Sequence, residues 1–192
     1  MAVQGVRERR IPGALLGMML FIASELMFFG SLFGAYFTIR AATDPWPPPG
    51  TAEIAVLRTG FFSLFLIASS FTIQRAVTVL RTDDVAGTMR WLVITITLGL
   101  VFLGGQAWEY SELVGEDFVI STNQFATLFF TMTGFHGLHV AGGLVAIGVV
   151  YASARGGRIS AARHGTAEAV SYYWHFVDVV WIFLFVTLYV LE

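Results

Sequence analysis

Five ionisable residues within apolar segments are the part of this sequence that could carry chemistry. Glu25 lies in the first long apolar run, His136 and His139 lie three residues apart in the fourth, and His175 and Asp178 share that spacing in the last. Residues three apart on a helix project from one face. We therefore expect His136 and His139 to act from a common face. We also expect Asp178 to accept a hydrogen bond from the His175 ring and Glu25 to complete a network with the histidines.

Four roles fit such a buried polar cluster. A charge at the middle of a bilayer costs about 2.5–3.5 kcal/mol on insertion scales, so these side chains must face the bundle interior and pair. They could form a neutral packing network, relay protons, ligate a metal or haem, or bind a transported substrate. Metal binding is disfavoured because di-metal helical bundles use Glu-x-x-His pairs, which are absent here. Transport is disfavoured because no broken-helix repeat is evident.

The composition places these residues in a membrane protein. Of the 192 residues, 56% are hydrophobic and 12% are charged, whereas a soluble domain carries about 25% charged residues. The net charge of −2 argues against a nucleic-acid partner, which would favour a basic stripe. The lack of cysteine excludes disulfides, thiolate metal sites and iron–sulfur clusters. The first apolar run is too long for a signal-peptide core and is expected to be a spanning helix.

Turn residues divide the chain into a single domain, which we predict to be an all-α integral membrane bundle of five transmembrane helices. A spanning helix needs about 20 mainly apolar residues. The proline-rich segment 44–50 cannot continue a helix. Further turn signals occur at residues 83–84, 115–117 and 156–157. The predicted helices cover residues 11–40, 54–80, 87–113, 123–153 and 166–191.

The arginines predict the orientation of this bundle. All 11 basic residues are arginine. Nine of them precede the first helix or flank the second and fourth connections: Arg7, Arg9, Arg10, Arg75, Arg81, Arg90, Arg155, Arg158 and Arg163. Only Arg40 and Arg58 fall on the other side. The positive-inside rule then predicts a cytoplasmic N-terminus and a C-terminus outside.

Small, aromatic and acidic residues suggest how the helices pack. Gly134 and Gly137 in the fourth helix would permit close helix approach. Trp174 and Trp181 are one heptad apart and are expected to mark one helix–helix or lipid-binding face. A solvated acidic loop, or alternatively a partner-facing surface, is expected at the end of the third helix from Glu109, Glu112, Glu116 and Asp117.

Several strings, taken together, resemble one known family. Residues 171–181 read SYYWHFVDVVW, residues 133–140 read TGFHGLHV and residues 24–29 read SELMFF, with weaker matches at 46–48, 94–99 and 106–110. They occur in family order along nearly the whole chain. The sequence resembles subunit III of haem-copper respiratory oxidases, in the short five-helix bacterial form of the cytochrome c oxidase branch.

This resemblance implies an accessory subunit with no catalytic residue, metal or haem of its own. Haem and copper would lie in partner subunits I and II, which oxidise cytochrome c, reduce oxygen to water and pump protons. The chain would steady subunit I and support proton uptake in a bacterial plasma membrane, through the positions that match the family's buried acid and histidines. Longer relatives hold phospholipid beside two extra leading helices, so phospholipid binding is a further expectation.

Three other functions remain open from the sequence. The chain could be subunit III of a quinol oxidase or an accessory protein of a nitric oxide reductase. From another class, it could be a stand-alone membrane protein that conducts protons or binds metal through Glu25 and the histidines. Glu25 could also remain protonated and simply donate one packing hydrogen bond.

Overall fold

The computed structural model describes residues 13–191 as five long helices joined by short connections. The helices are α1 (Gly13–Ala42), α2 (Val56–Leu80), α3 (Val85–Gly115), α4 (Gln124–Arg155) and α5 (Gly165–Phe185). A π-helical turn, Val186–Val190, continues α5. All five helices are long and apolar enough to cross a membrane. This confirms the predicted helical class and the predicted number of spans.

The helix ends differ from the predicted ends by a few residues, for local reasons. The Asp84 carboxylate accepts a hydrogen bond from the Gly87 N–H at 2.8 Å, so α3 starts two residues earlier than predicted. Asn123 caps α4 in the same way, accepting from the Ala126 N–H at 2.8 Å. Both bonds satisfy N–H groups that have no partner inside the helix. The predicted start at residue 11 lies outside the described residues, as do Arg7, Arg9 and Arg10.

Hydrogen bonds tie the connections together at each end of the bundle. At one end, the Ala161 N–H donates to Asp83 Oδ1 at 2.8 Å and joins the α2–α3 turn to the α4–α5 loop. This arginine-rich end carries Arg75, Arg81, Arg90, Arg155, Arg158 and Arg163. At the opposite, acidic end, Asn123 Nδ2 donates to Thr51 Oγ1 at 3.0 Å. The acidic end carries Asp44, Glu53, Glu112, Glu116 and Asp117 with Arg40 and Arg58.

The last helix is the centre of the bundle. It contacts α1, α2 and α4, and 56% of its most apolar stretch is buried, compared with 6% for α1. Trp174 and Trp181 are fully buried, and their indole N–H groups donate to Ser69 and Ser63 of α2, each at 2.8 Å. Trp181 also meets the edge of Phe102 in α3 with ring centroids 4.8 Å apart. Both tryptophans therefore form a helix–helix face and not a lipid-binding one.

Side chains of α3 fill the space beside the α4 glycines. A Cβ built at Gly137 would lie only 2.8 Å from Gln106 Oε1, and one built at Gly134 would lie 3.6 Å from the Tyr110 hydroxyl. Gln106 is held in place because its Nε2 donates to the Thr133 carbonyl at 2.7 Å. The tight approach predicted here is therefore found at Gly137, while the neighbours of Gly134 lie at ordinary contact distance.

A glycine further along α4 gives a test of this packing. A Cβ at Gly143 would lie 2.7 Å from two ring atoms of Trp174, whose indole is fixed by its bond to Ser69. We expect Gly143→Ala to lower the free energy of unfolding by about 1–3 kcal/mol through overpacking. Unfolding by sodium dodecyl sulfate in mixed micelles measures this change. Gly148→Ala in the same helix is the control, because a Cβ there meets nothing within 4 Å; equal stability of the two variants would contradict the prediction.

Candidate functional site

Glu25 of α1 and His139 of α4 form a pair between helices. His139 Nε2 lies 2.9 Å from Glu25 Oε2, and its Nδ1 lies 2.7 Å from the Phe135 carbonyl oxygen. A carbonyl can only accept, so Nδ1 carries a hydrogen. One further proton is then shared between Nε2 and the Glu25 carboxyl. The pair is neutral whether that proton sits on the acid or on the ring.

Aromatic side chains from two helices, α1 and α5, surround His139. Phe29 meets its ring edge-on with centroids 5.0 Å apart, and Phe28 stacks on it at 6.2 Å. From α5, the Tyr173 hydroxyl donates to the His139 carbonyl at 3.0 Å. The side chains of Glu25 and His139 remain 19% and 16% exposed. The pair is therefore held rigidly but is not sealed inside the bundle.

His136 takes no part in this pair. It is fully buried, its ring stacks on Trp181 with centroids 4.9 Å apart, and it meets Phe102 edge-on at 6.0 Å. Neither ring nitrogen has a hydrogen-bond partner among residues 13–191. The expectation that both α4 histidines act from a common face is therefore wrong, because His136 points towards α3 and α5 while His139 points towards α1.

His175 and Asp178 are joined through a third residue. His175 Nδ1 lies 2.8 Å from Ser70 Oγ, and the Ser70 hydroxyl donates to Asp178 Oδ2. The predicted direct bond between His175 and Asp178 is thus wrong, because a serine from α2 lies between the two side chains. Since the single Ser70 hydrogen is given to Asp178, His175 must donate to the Ser70 oxygen. Of the three histidines that were expected to form a network with Glu25, only His139 contacts it.

Glu109 is a buried residue that the sequence reasoning misplaced in a solvated loop. It is only 2% exposed and lies inside α3. Thr59 Oγ1 donates to its Oε1 at 2.6 Å, and the Tyr189 hydroxyl in the π-helical turn donates to its Oε2 at 2.8 Å. Its spacing of seven from Phe102 and four from Leu113, both buried, places it on the inward stripe of α3. That spacing could have revealed its burial.

A cavity of about 400 Å³ opens beside Glu109 at the acidic end. Its lining consists of Glu53, Ala55, Arg58, Glu109, Glu112, Leu113 and Glu116. Arg58 forms an ion pair with Glu112, and its guanidinium carbon lies 5.5 Å from the centre of the Trp108 ring. These acids therefore differ: Glu109 is a structural hydrogen-bond acceptor, while Glu112 forms a surface ion pair.

Comparison with known proteins gives a match along nearly the whole chain. The family model described as "Cytochrome c oxidase subunit III" matches residues 3–192. The "Cytochrome c oxidase subunit 3" of Thermostichus vulcanus is 45% identical over 177 residues, covering 92% of this chain and 86% of the relative. Relatives with the same description come from Synechocystis sp. (43% identical; 91% and 74% covered) and Corynebacterium diphtheriae (41% identical; 92% and 87% covered).

Replacing the buried acid tests its structural role. Glutamine has one acceptor oxygen, so Glu109→Gln leaves either Thr59 or Tyr189 without an acceptor in a buried site. We expect this to lower the free energy of unfolding by about 1–3 kcal/mol. Glu112→Gln is the matched control and should cost less than about 1 kcal/mol, as for a surface ion pair. Detergent unfolding titrations compare the two variants, and equal losses would contradict the assignment.

Proposed function

Since this chain belongs to the cytochrome c oxidase subunit III family, we propose that it supports proton uptake by the redox subunits of a terminal oxidase. Membership makes it an accessory subunit III, and the catalytic activity lies in the complex. The proposed partners are subunits I and II, with membrane lipid around them. Those subunits would hold the haem and copper, take electrons from cytochrome c and reduce oxygen while pumping protons. The proposed location is a bacterial plasma membrane.

The observation that carries this proposal is the neutral pair of Glu25 and His139. The hydrogen bond to Phe135 fixes one ring hydrogen, so the pair exchanges a single proton between its two members. Neither position of that proton places a net charge in the membrane, which would otherwise be costly. A pair of this kind can move a proton between α1 and α4 without a change of net charge within the membrane.

The contacts of the three histidines favour placing the haem and copper sites in the partner subunits. Both ring nitrogens of His139 lie against oxygen atoms, and His175 contacts Ser70 and Gln74. His136 is enclosed between Trp181 and Phe102. A metal at His139 or His175 would have to displace these oxygen atoms, and one at His136 would have to separate its ring from Trp181 and Phe102. This favours an accessory subunit over a stand-alone metal-binding membrane protein.

The proposed orientation puts the arginine-rich end in the cytoplasm. Six arginines lie at that end of the described bundle, against two at the acidic end, and arginine is favoured on the cytoplasmic side. The N-terminus would then be cytoplasmic and the C-terminus outside. Proton uptake would start from the arginine-rich end.

Phospholipid is a further proposed ligand. An apolar groove of about 420 Å³ between α1 and α5 is lined by Met19, Ile22, Tyr172 and Phe176. Its walls suit an acyl chain, since Met19, Ile22 and Phe176 are apolar and α1 is mostly exposed.

Co-purification tests the assignment to an oxidase complex. An affinity-tagged chain, extracted in mild detergent, is expected to bring a haem-containing subunit with it. The same chain, expressed without its partners, is expected to be colourless and to contain no stoichiometric metal. Visible spectra and elemental analysis give the result. Stoichiometric haem or copper in the isolated chain would overturn the proposal, as would failure to recover any redox subunit from intact membranes.

Glu25→Gln tests the proton role within the assembled oxidase. Glutamine can still contact His139 but cannot take up or release a proton. We expect normal assembly with slower turnover or shorter durability of the enzyme, measured as oxygen consumption and proton release by the complex in liposomes. Glu116→Gln is the control, because Glu116 is exposed at the acidic end. Unchanged turnover, pumping and durability in Glu25→Gln would leave only a packing role for the pair.

A further inference from the structure

A polar seam runs between α2 and α5, from the arginine-rich end towards the middle of the bundle. Its α5 side follows a 3-4-3 spacing that keeps four residues on one face: Glu168, Ser171, His175 and Asp178. Its α2 side has a matching spacing of four and seven in Ser70, Gln74 and Arg81. The ten residue steps from Glu168 to Asp178 rise about 15 Å, about half of a 30 Å hydrocarbon core.

Hydrogen bonds join the groups at each end of this α2–α5 seam. At its outer end, Arg81 Nη2 lies 2.8 Å from Glu168 Oε1, and His164 Nε2 lies 3.6 Å from Glu168 Oε2. At its inner end, the chain of contacts runs from Gln74 through His175 and Ser70 to Asp178. The outer and inner groups are not bonded to each other directly among the described residues.

A small cavity occupies the gap between them. Its volume is about 50 Å³, and it is lined by Gln74, Val77, Arg81, Glu168, Ser171 and Tyr172. Ser171 is only 4% exposed, and its hydroxyl has no hydrogen-bond partner within residues 13–191. A buried hydroxyl without a partner is costly. A polar cavity needs about 10–15 Å³ to hold one water molecule, so there is room here for water to satisfy Ser171.

We propose that this cavity holds water that connects Glu168 to Gln74, the neighbour of His175, and gives Asp178 proton access from the arginine-rich end. A proton that Glu168 takes from solution passes through the water to His175 Nε2, which lies 3.4 Å from Gln74 Oε1 at the cavity wall. The His175 ring then gives its Nδ1 proton to Ser70 as Ser70 gives its own to Asp178. Each step moves one proton, and the His175 ring is left with its hydrogen on Nε2 instead of Nδ1. The reverse sequence returns the proton to solution.

The inner end of the route is closed. One turn beyond Asp178, the Trp181 indole is fully buried and donates to Ser63, and the buried Leu66 lies one turn beyond Ser70 on α2. Asp178 receives the proton on Oδ2, the oxygen to which Ser70 donates, while its Oδ1 has no partner among the described residues. The seam thus stores a proton and does not conduct it across the membrane.

This inference deepens the proposed function, because the seam would supply protons at the same end from which the oxidase takes them up.

The test uses the whole oxidase complex at rest, without turnover. After a rapid pH change, infrared spectroscopy follows the Asp178 carboxyl band, which is identified by its loss in Asp178→Asn. Ser171→Val fills the cavity with methyl groups. We expect Ser171→Val to slow the change of the Asp178 carboxyl band by about tenfold. The reason is that losing one hydrogen-bonded water in the route raises the barrier to proton transfer.

Matched variants separate the route from a change in packing. Thr78→Val on the exposed side of α2 should leave the rate unchanged. Glu168→Gln and Arg81→Gln both remove the outer ion pair, but only the first removes the carboxylate that admits the proton. We expect slowing in Glu168→Gln alone. A high-resolution cryo-electron microscopy map should show water beside Ser171 in the wild type and none in Ser171→Val.

Three results would overturn the route. They are a wild-type rate in Ser171→Val, a dry cavity in the map, or an Asp178 carboxyl band that appears at no pH. Because none of these measurements involves turnover, they fail independently of the Glu25 experiment. A complex that lacks this route can still depend on Glu25 and His139, and a complex that does not depend on that pair can still have this route.

Discussion

The hydrogen bonds between α2 and α5 are the constraint on which the rest of the structure depends. Lipid offers no partner to a polar group, so each serine, indole or carboxyl within the span must find one in a neighbouring helix. Ser63, Ser69 and Ser70 of α2 provide those partners to Trp181, Trp174 and Asp178. Because these contacts fix the rotation and height of α5, they also fix the surfaces on which α1 and α4 pack.

Two faces of α5 have different roles, one in packing and one in holding ionisable groups. One face carries the two indoles, which exclude water and reach α3 through Phe102. The neighbouring face carries the ionisable groups of the α2–α5 seam. Glu25 and His139 lie outside both faces, between α1 and α4. They are tolerated beside lipid because their combined charge is zero in either proton arrangement.

The sequence predicts the helices well and the site only in part. Hydropathy and turn residues locate five spans, since lipid imposes length and composition on each of them. Spacing within one helix correctly gives the face of Trp174 and Trp181. It fails for His175 and Asp178, because the residue between them comes from another helix. It fails for Glu109 because acids near a helix end usually meet solvent, whereas Thr59 and Tyr189 enclose this one.

The weak burial of α1 has a consequence for the order of assembly. Its anchors lie far along the chain: Glu25 meets His139 at a separation of 114 residues, and the Tyr36 hydroxyl donates to the Thr187 carbonyl at a separation of 151. The ribosome makes α1 before the other four described helices, yet the surface that receives it exists only after α5 and its π-helical turn are complete. Of the five described helices, α1 is therefore made first and can complete its packing only last.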